Sequence, residues 1–595
     1  MTNEKLNALR SCMEKDGVSV YLITSTDFHA SEYVGDYFKV SEYVSGCTSD
    51  NVTLLVEPDR ARLWTDGRYF ISAAAELKDS GIELMKMGEP GVPEVEAYLE
   101  ERLQKDGVLA FDGRCVSVKK GLQYREIAAR KGASVRGDKD YASLIWENRP
   151  PMPSHPVRIL PEEIAGCSVR EKVEPLRGAV RRAGANYLLL SKLDDLMDLL
   201  NIRGADITCN PVALSYGLIG TDSFDFFIQE SEVTGEFRDY CKKLAVSLHP
   251  YEELRTFLTE KNFSGPVLLD PVCTGYALYE LLRDRVPVVM KPNPTELPKA
   301  MRTPAQIERT KEYYLLDSAA VCRFIFWVKK HIGKIRITEL SAAEKMDSLR
   351  REIPGYLDLS FPTISAWGPN AAMAHYAATE ENQSEVKPEG FLLVDSGGQY
   401  LGATTDVTRT IAVGPLTPEM KRDFTLVAAG NLALLTARFR YGCTGRNLDT
   451  YARAPLWARG MDYNHGTGHG IGYILNVHEG PQSIRWKYIP ELAEAVFEEG
   501  MVTSDEPGIY IEGKYGIRTE SIVLCVKDME NEFGSFMRFE PLTWAPIDLD
   551  AIDTGYLSDA DIRRLNDYHR EVREKILPLL NEEEGAWLIE ATREI

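Results

Sequence analysis

Two proline-rich seams, "RPPMPSHPVRILP" at 149–161 and "MKPNPTELP" at 290–298, cut this sequence into three stretches. Proline fixes φ and biases the residue before it away from helix, so both seams read as extended linkers. A chain of 595 residues is in any case too long for one hydrophobic core. The seams therefore predict domains over 1–150, 151–298 and 299–595.

The first two stretches follow one pattern. "YLITSTDFHASEYVG" (21–35) and "YLLLSKLDDLMDLLNIRG" (187–204) each read as an apolar strand, a polar turn, a helix and then a glycine. Strand-like segments follow in both, "VTLLVEPDRARLWTDGRYF" in the first and "SFDFFIQE" in the second. The expectation is a duplicated α/β domain. Neither copy carries a GxGxxG or a phosphate loop, so nothing points to a nucleotide. Beyond the second seam, Thr303 can cap a long helix with Pro304 at its first position and Gln306 completing a capping box. Near the other end, Ser558 and Asp561 form the same signature before a helical tail.

Composition excludes several classes of partner. The net charge of −21 argues against nucleic acid and against an anionic membrane surface. No apolar run approaches the roughly 18 residues of a membrane span. The start, "MTNEKLNALRSCMEKDG", has no apolar signal region. Ten scattered cysteines without a CxxC pair suit reduced thiols, so a cytoplasmic setting is expected.

The chemistry concentrates in the third stretch. "HGTGHGIGYILNVHEG" (465–480) holds three of the nine histidines. Two histidines four apart could share a helical face and one ion, as in HExxH proteases. Gly466, Gly468, Gly470 and Gly472 each cost such a helix roughly 1 kcal/mol. A loop running into a strand at "YILNV" is the better reading, and His465 and His469 need not bind the same ion. Around this loop, carboxylates lie on strand-like segments. They are Asp395 in "GFLLVDSGGQY", Asp406 in "ATTDVTRTIAVG", Glu506 in "VTSDEPGIY" and Glu520 in "GIRTESIVLCV". Buried carboxylates need compensation to stay ionised. Two divalent cations would cancel these four charges, with His469 adding a nitrogen ligand. An oxygen-rich set with one imidazole suits Mn²⁺, Co²⁺ or Zn²⁺. Two such ions roughly 3.5–4 Å apart can share a hydroxide, which is hydrolase chemistry. Arg518, two residues before Glu520, is expected on the same strand face, balancing the acids.

In order and wording, "DSGGQYLGATTDVTRT", "HGTGHGIGYILNVHEGP", "TSDEPGIY" and "GIRTES" resemble the metal motifs of Xaa-Pro aminopeptidase, or aminopeptidase P, among the pita-bread metallopeptidases. "STDFHASEYV", "LWTDGRYF", "NIRGADITCNPVALSYGLIG" and "FEPLTWAPID" extend the likeness to the three-domain cytosolic form over nearly the whole chain. The resemblance implies an α/β (α+β) fold, two creatinase-like N-terminal domains followed by a pita-bread domain. It implies that Asp395 and Asp406 bind metal, Asp406 bridging two ions. His469 and Glu506 would bind the second ion, and Glu520 would also bridge. It makes Glu506 the general base for the metal-bound water, giving a hydroxide held by both metals, of which Mn²⁺ is the first expectation. It places His375, His465 and His478 against the substrate in catalytic and binding roles, with Arg518 beside them. The implied activity is removal of the N-terminal residue from peptides with proline second, by a cytoplasmic homodimer. The alternatives are a prolidase restricted to Xaa-Pro dipeptides and a non-catalytic, peptide-binding pita-bread protein. His29, His155, His249, His331 and His569 read as surface or packing residues, although His29 lies inside a family-like segment. One departure is visible: Ser49, Asp50 and Asn51 stand where relatives have a glycine- and serine-rich turn.

Overall fold

The computed structural model describes residues 2–489 and 494–595. The chain forms two compact units, Met1–Thr295 and Glu296–Ile595.

The first unit contains two six-stranded sheets. One runs Glu83–Lys86, Ala61–Thr65, Thr53–Val56, Val20–Thr24, Val108–Phe111, Ser134–Arg136 from edge to edge. The other runs Ser247–Pro250, Phe224–Ile228, Ser215–Gly220, Tyr187–Leu190, Val267–Leu269, Val288–Met290. In each sheet the second-to-third and third-to-fourth pairings are antiparallel and the other three are parallel. Parallel neighbours need a crossover. Helix Val118–Lys131 supplies one in the first sheet, and Tyr276–Leu282 its counterpart in the second. The duplication expected from sequence is thus a duplication of topology.

The copies differ where both were expected to form a helix. Leu193–Leu199 is helical in the second copy. In the first, the Asp27 carboxylate accepts the N–H groups of His29 at 2.8 Å and Ser31 at 2.9 Å, and Ala30 takes a φ of 58°. A side chain that captures nearby amides competes with the helix for them, and here a turn wins. His29 is 1% exposed, its ring bonded to the Ser191 carbonyl and the Tyr251 hydroxyl, so it packs between the copies. The departure at 49–51 is absorbed locally. Asn51 donates to Asp66, and the Tyr69 hydroxyl donates to Asp50. The first proline seam is extended, as expected, but pinned. His155 N donates to Asp206, Val157 N to the Glu232 carbonyl, and Arg158–Ile159 pairs with Ile202–Arg203.

The second unit opens on the helix Pro304–His331, and the capping box is formed: Thr303 Oγ1 accepts from Gln306 N, and Gln306 Oε1 from Thr303 N. Ser558 and Asp561 cap Asp559–Ile576 in the same way. One apolar core draws on these helices, on Pro418–Leu435 and Gly445–Trp457, and on two antiparallel sheets. Ile364–Trp367, Phe391–Ser396 and Val407–Ala412 form the first sheet. Arg438–Arg440, Gly534–Pro541, Ser521–Asn531 and Val502–Asp505 form the second. No described helix is long and apolar enough to cross a membrane.

Candidate metal centre

Asp395 is the fifth residue of strand Phe391–Ser396 and pairs in register with Thr408. The other three acids sit in joints between strands. Asp406 fills the break between Ala403–Thr404 and Val407–Ala412, Glu506 follows Val502–Asp505, and Glu520 separates Tyr515–Arg518 from Ser521–Asn531. A joint releases a side chain from the two-faced alternation of a strand, so acids from separate sheets can converge. The expectation that Arg518 and Glu520 share one strand face therefore fails. Arg518 ends one strand and Glu520 precedes the next, which belongs to a different sheet.

His469 lies in the two-residue strand Gly468–His469, paired with Ser483–Ile484. The strand thus precedes the apolar run instead of coinciding with it. Residues 473–477 form a buried loop, held by Gln399 Nε2 donating to the Leu475 carbonyl and Leu475 N donating to Thr404. An apolar run reads alike whether it is a buried strand or a buried plug, which is why periodicity misjudged it. The glycines permit close approach. A Cβ at Gly468 would lie 1.9 Å from the Ser504 carbonyl oxygen, and one at Gly470 2.1 Å from that of Glu479.

Asp406, His469 and Glu520 each present one ligand atom, all within 4.8 Å of one another. His469 Nε2 lies 3.5 Å from Asp406 Oδ2 and 3.3 Å from Glu506 Oε1. Its Nδ1 faces the Gly470 carbonyl at 3.0 Å. That carbonyl can only accept, so Nδ1 carries a proton and Nε2 is the nitrogen that faces the acids. Ser504 Oγ accepts from His469 N and donates to Glu506 Oε1. Thr408 Oγ1 donates to Glu520 at 2.8 Å and accepts from Arg518 Nε. Arg518 Nη2 binds Asp395 Oδ2 at 2.6 Å. Asp395 Oδ1 is buried without a hydrogen-bond donor.

The electrostatics follow from burial. Asp406 is 3% exposed and Glu520 1%. Burial, then the charges of Asp395 and Glu506, push the Asp406 carboxyl well above the usual range. Burial, then Asp406 and Asp395, do the same to Glu520. Burial lifts Glu506 to about 7 against the opposing pull of Arg518. Carboxylate acceptors that outnumber the donors supplied by Thr408, Ser504 and Arg518, and that disfavour one another's ionisation, fit divalent cations held mostly by oxygen.

Of the other predicted residues, His478 lies edge-on to His469, ring centroids 4.2 Å apart. His465 faces the Gly466 carbonyl through Nδ1 and the Tyr510 hydroxyl through Nε2. Tyr510 accepts from Arg518 at 2.8 Å, so a continuous chain joins His465 to Asp395. His375 is half-buried in the turn after the short helix Gly368–Ala372. That helix packs so closely on strand Tyr515–Arg518 that a Cβ at Gly516 would lie 1.7 Å from the Ala371 carbonyl oxygen. Sequence reasoning missed Ser504, Thr408 and Tyr510. Each is a hydroxyl within four residues of a predicted ligand, and that proximity is the only signal it left.

Comparison with known proteins agrees with this architecture. Models of the Creatinase/Prolidase N-terminal domain match residues 5–143 and 148–306. Metallopeptidase family M24 matches 308–527, and the C-terminal region of that peptidase family matches 535–595. The chain is 34% identical to aminopeptidase P1 of Arabidopsis thaliana, over 100% of this chain and 99% of that one. It is 35% identical to a probable Xaa-Pro aminopeptidase P of Coprinopsis cinerea, over 100% and 98%. The structure of X-prolyl aminopeptidase from Caenorhabditis elegans, described as a cytosolic enzyme with a di-nuclear active site, superposes with a TM-score of 0.95 at 33% identity, covering both chains fully. Two creatinase-like domains and a pita-bread domain, end-to-end kinship and a converging acidic site lead to one conclusion: this chain belongs to the aminopeptidase P family of M24 metallopeptidases, which are hydrolases.

Proposed function

We propose that this protein removes the N-terminal residue from peptides whose second residue is proline, using two divalent metal ions. The observation that carries the reading is the convergence of Asp406, His469 and Glu520 donor atoms within 4.8 Å. Asp395, Asp406, His469, Glu506 and Glu520 would hold the ions, Asp406 and Glu520 between them, with Mn²⁺ preferred over Zn²⁺ or Co²⁺. Bound there, such a pair supplies Lewis acidity and acidifies water. Glu506 Oε1, steadied by Ser504, accepts the proton of the attacking water and returns it to the leaving amine. Arg518 holds Asp395 in place and, through Tyr510, fixes the ring of His465. His375, His465 and His478 face the peptide. Proline is distinguished by its fixed φ and missing N–H, features that a site can read by shape. We place the protein in the cytoplasm as a homodimer, and assign 1–150, 151–298 and 299–595 as its domains.

The test is hydrolysis of an Xaa-Pro-Yaa tripeptide with and without a chelator and added Mn²⁺. Cleavage after Xaa, lost on chelation and restored by Mn²⁺, is expected. Replacing proline by alanine should lower kcat/KM about 10²-fold, or roughly 2.7 kcal/mol. Activity on Xaa-Pro dipeptides alone would identify a prolidase. Peptide binding without turnover by the metal-loaded protein would identify a non-catalytic relative.

A further inference from the structure

The loop from His469 to His478 carries a proposed metal ligand at one end and a substrate-facing histidine at the other. It has little regular structure of its own. Gly472 N donates to the Asn476 carbonyl, Glu479 N donates to that of Gly470, and Ile474 takes a φ of 54°. Two cations from the segment just before the helix Pro304–His331 grip this loop. Arg302 is 7% exposed, and its Nη2 donates to the carbonyls of Ile471 at 2.8 Å and Gly472 at 2.7 Å. Its guanidinium also lies 5.1 Å from the centre of the Tyr473 ring. Lys299 Nζ lies 3.0 Å from Glu479 Oε2, with 3% and 4% of the two side chains exposed. One cation thus holds the limb leaving His469, and the other holds the limb beside His478.

We propose that Arg302 and Lys299 are positioning residues for the metal centre, fixing the spacing of the His469 and His478 rings. The argument is one of stiffness. An irregular loop is set by what it is tied to. Gly470 N and Ile471 N donate to the Gln482 and Val502 carbonyls, and Leu475 is tied to Thr404 and Gln399. The Arg302 hydrogen bonds and the Lys299–Glu479 ion pair add charged ties in a dry setting. Hydrogen-bond partners behind a ligand commonly govern both metal affinity and rate. Neither cation needs to touch substrate or metal to do this.

The proposal rests on the aminopeptidase reading for its kinetics, and on two readouts that need no activity. In the full-length protein, Arg302→Met removes both donations and keeps the stem, and Arg302→Lys restores the charge. Lys299→Met combined with Glu479→Gln removes both charges together, so no buried charge is orphaned. Amide exchange across 470–479, Mn²⁺ affinity by calorimetry, and kcat and KM on an Xaa-Pro-Yaa tripeptide are measured. Exchange should accelerate in that segment alone, and Mn²⁺ affinity and kcat should each fall about tenfold with KM nearly unchanged. Arg302→Lys should recover part of each loss. Unchanged exchange at 470–479, exchange raised uniformly from Glu296 to Ile595, or intact Mn²⁺ affinity would each overturn the proposal. A wild type that cleaves no tripeptide would refute the functional reading, and exchange and affinity would still decide the role of the cations.

Discussion

Two of the places where the protein buries acidic side chains treat them in opposite ways. In the first unit, Glu232 is fully buried beside Asp206. Asp206 accepts from His155 N, the His155 ring and Leu214 N, while Glu232 accepts from Gln229. Burial, and then Asp206, push Glu232 up to about 10, so that acid keeps its proton. One proton suffices for one extra carboxyl among several donors. In the second unit, Asp406, Glu520 and His469 Nε2 converge within 4.8 Å, and Asp395 and Glu506 add their charges beside them. Burial alone therefore does not mark a site. What marks it is a surplus of acceptors too large for single protons to relieve.

The strongest way to break this contrast is Asp406→Asn, which removes a charge from the centre while nearly preserving shape. Activity should fall to background and bound metal should drop below the wild-type content. Normal turnover with full metal would end the two-ion reading. The boundary of the set is sharpened by His375→Ala. A group that moves a proton or steadies the transition state should lower kcat about 10²-fold, with KM and metal content nearly unchanged. A loss of melting temperature with normal kcat would instead make His375 structural.

Removing the ions should expose the repulsion itself. Chelation should lower the melting temperature, and Mn²⁺ at about one hundred times its dissociation constant should restore about 2.7 kcal/mol. A melting temperature indifferent to metal would mean that the acids are satisfied without it. A pH-dependent effect, with no change in activity, is expected in the first unit from Glu232→Gln. The folded value of Glu232 lies above its ordinary 4.5, so its contribution to stability is full below pH 4.5 and is lost as the pH rises toward about 10. Glutamine mimics the protonated acid and does not titrate. The variant should therefore gain on the wild type across pH 5–9, by at most about 1.4 kcal/mol per pH unit. Parallel melting curves over that range would show Glu232 ionised in the fold, and the contrast would collapse.

What could be read in advance was what is local or repeated. The capping boxes at Thr303 and Ser558 need only neighbours in sequence, and both formed. The duplication was visible because two strand-turn patterns recur, although an Asp27 turn replaced the expected helix in the first copy. The acids were legible because carboxylates interrupt apolar runs. Their partners were not. Tyr510, Thr408 and Ser504 are ordinary strand residues until three-dimensional pairing gives each hydroxyl a charged neighbour. The buried loop at 473–477 was misjudged because hydrophobicity reports burial and says nothing of backbone form.

Thr303 announces the start of a helix so clearly that it invites a cut for anyone wishing to isolate the second unit. A fragment begun there would retain every acid and histidine of the centre. It would leave behind Arg302 and Lys299, the two cations that grip the loop between His469 and His478. The point where the chain most plainly begins to fold lies downstream of the point where the unit becomes complete, so a working excision must start no later than Glu296, where the compact unit itself begins.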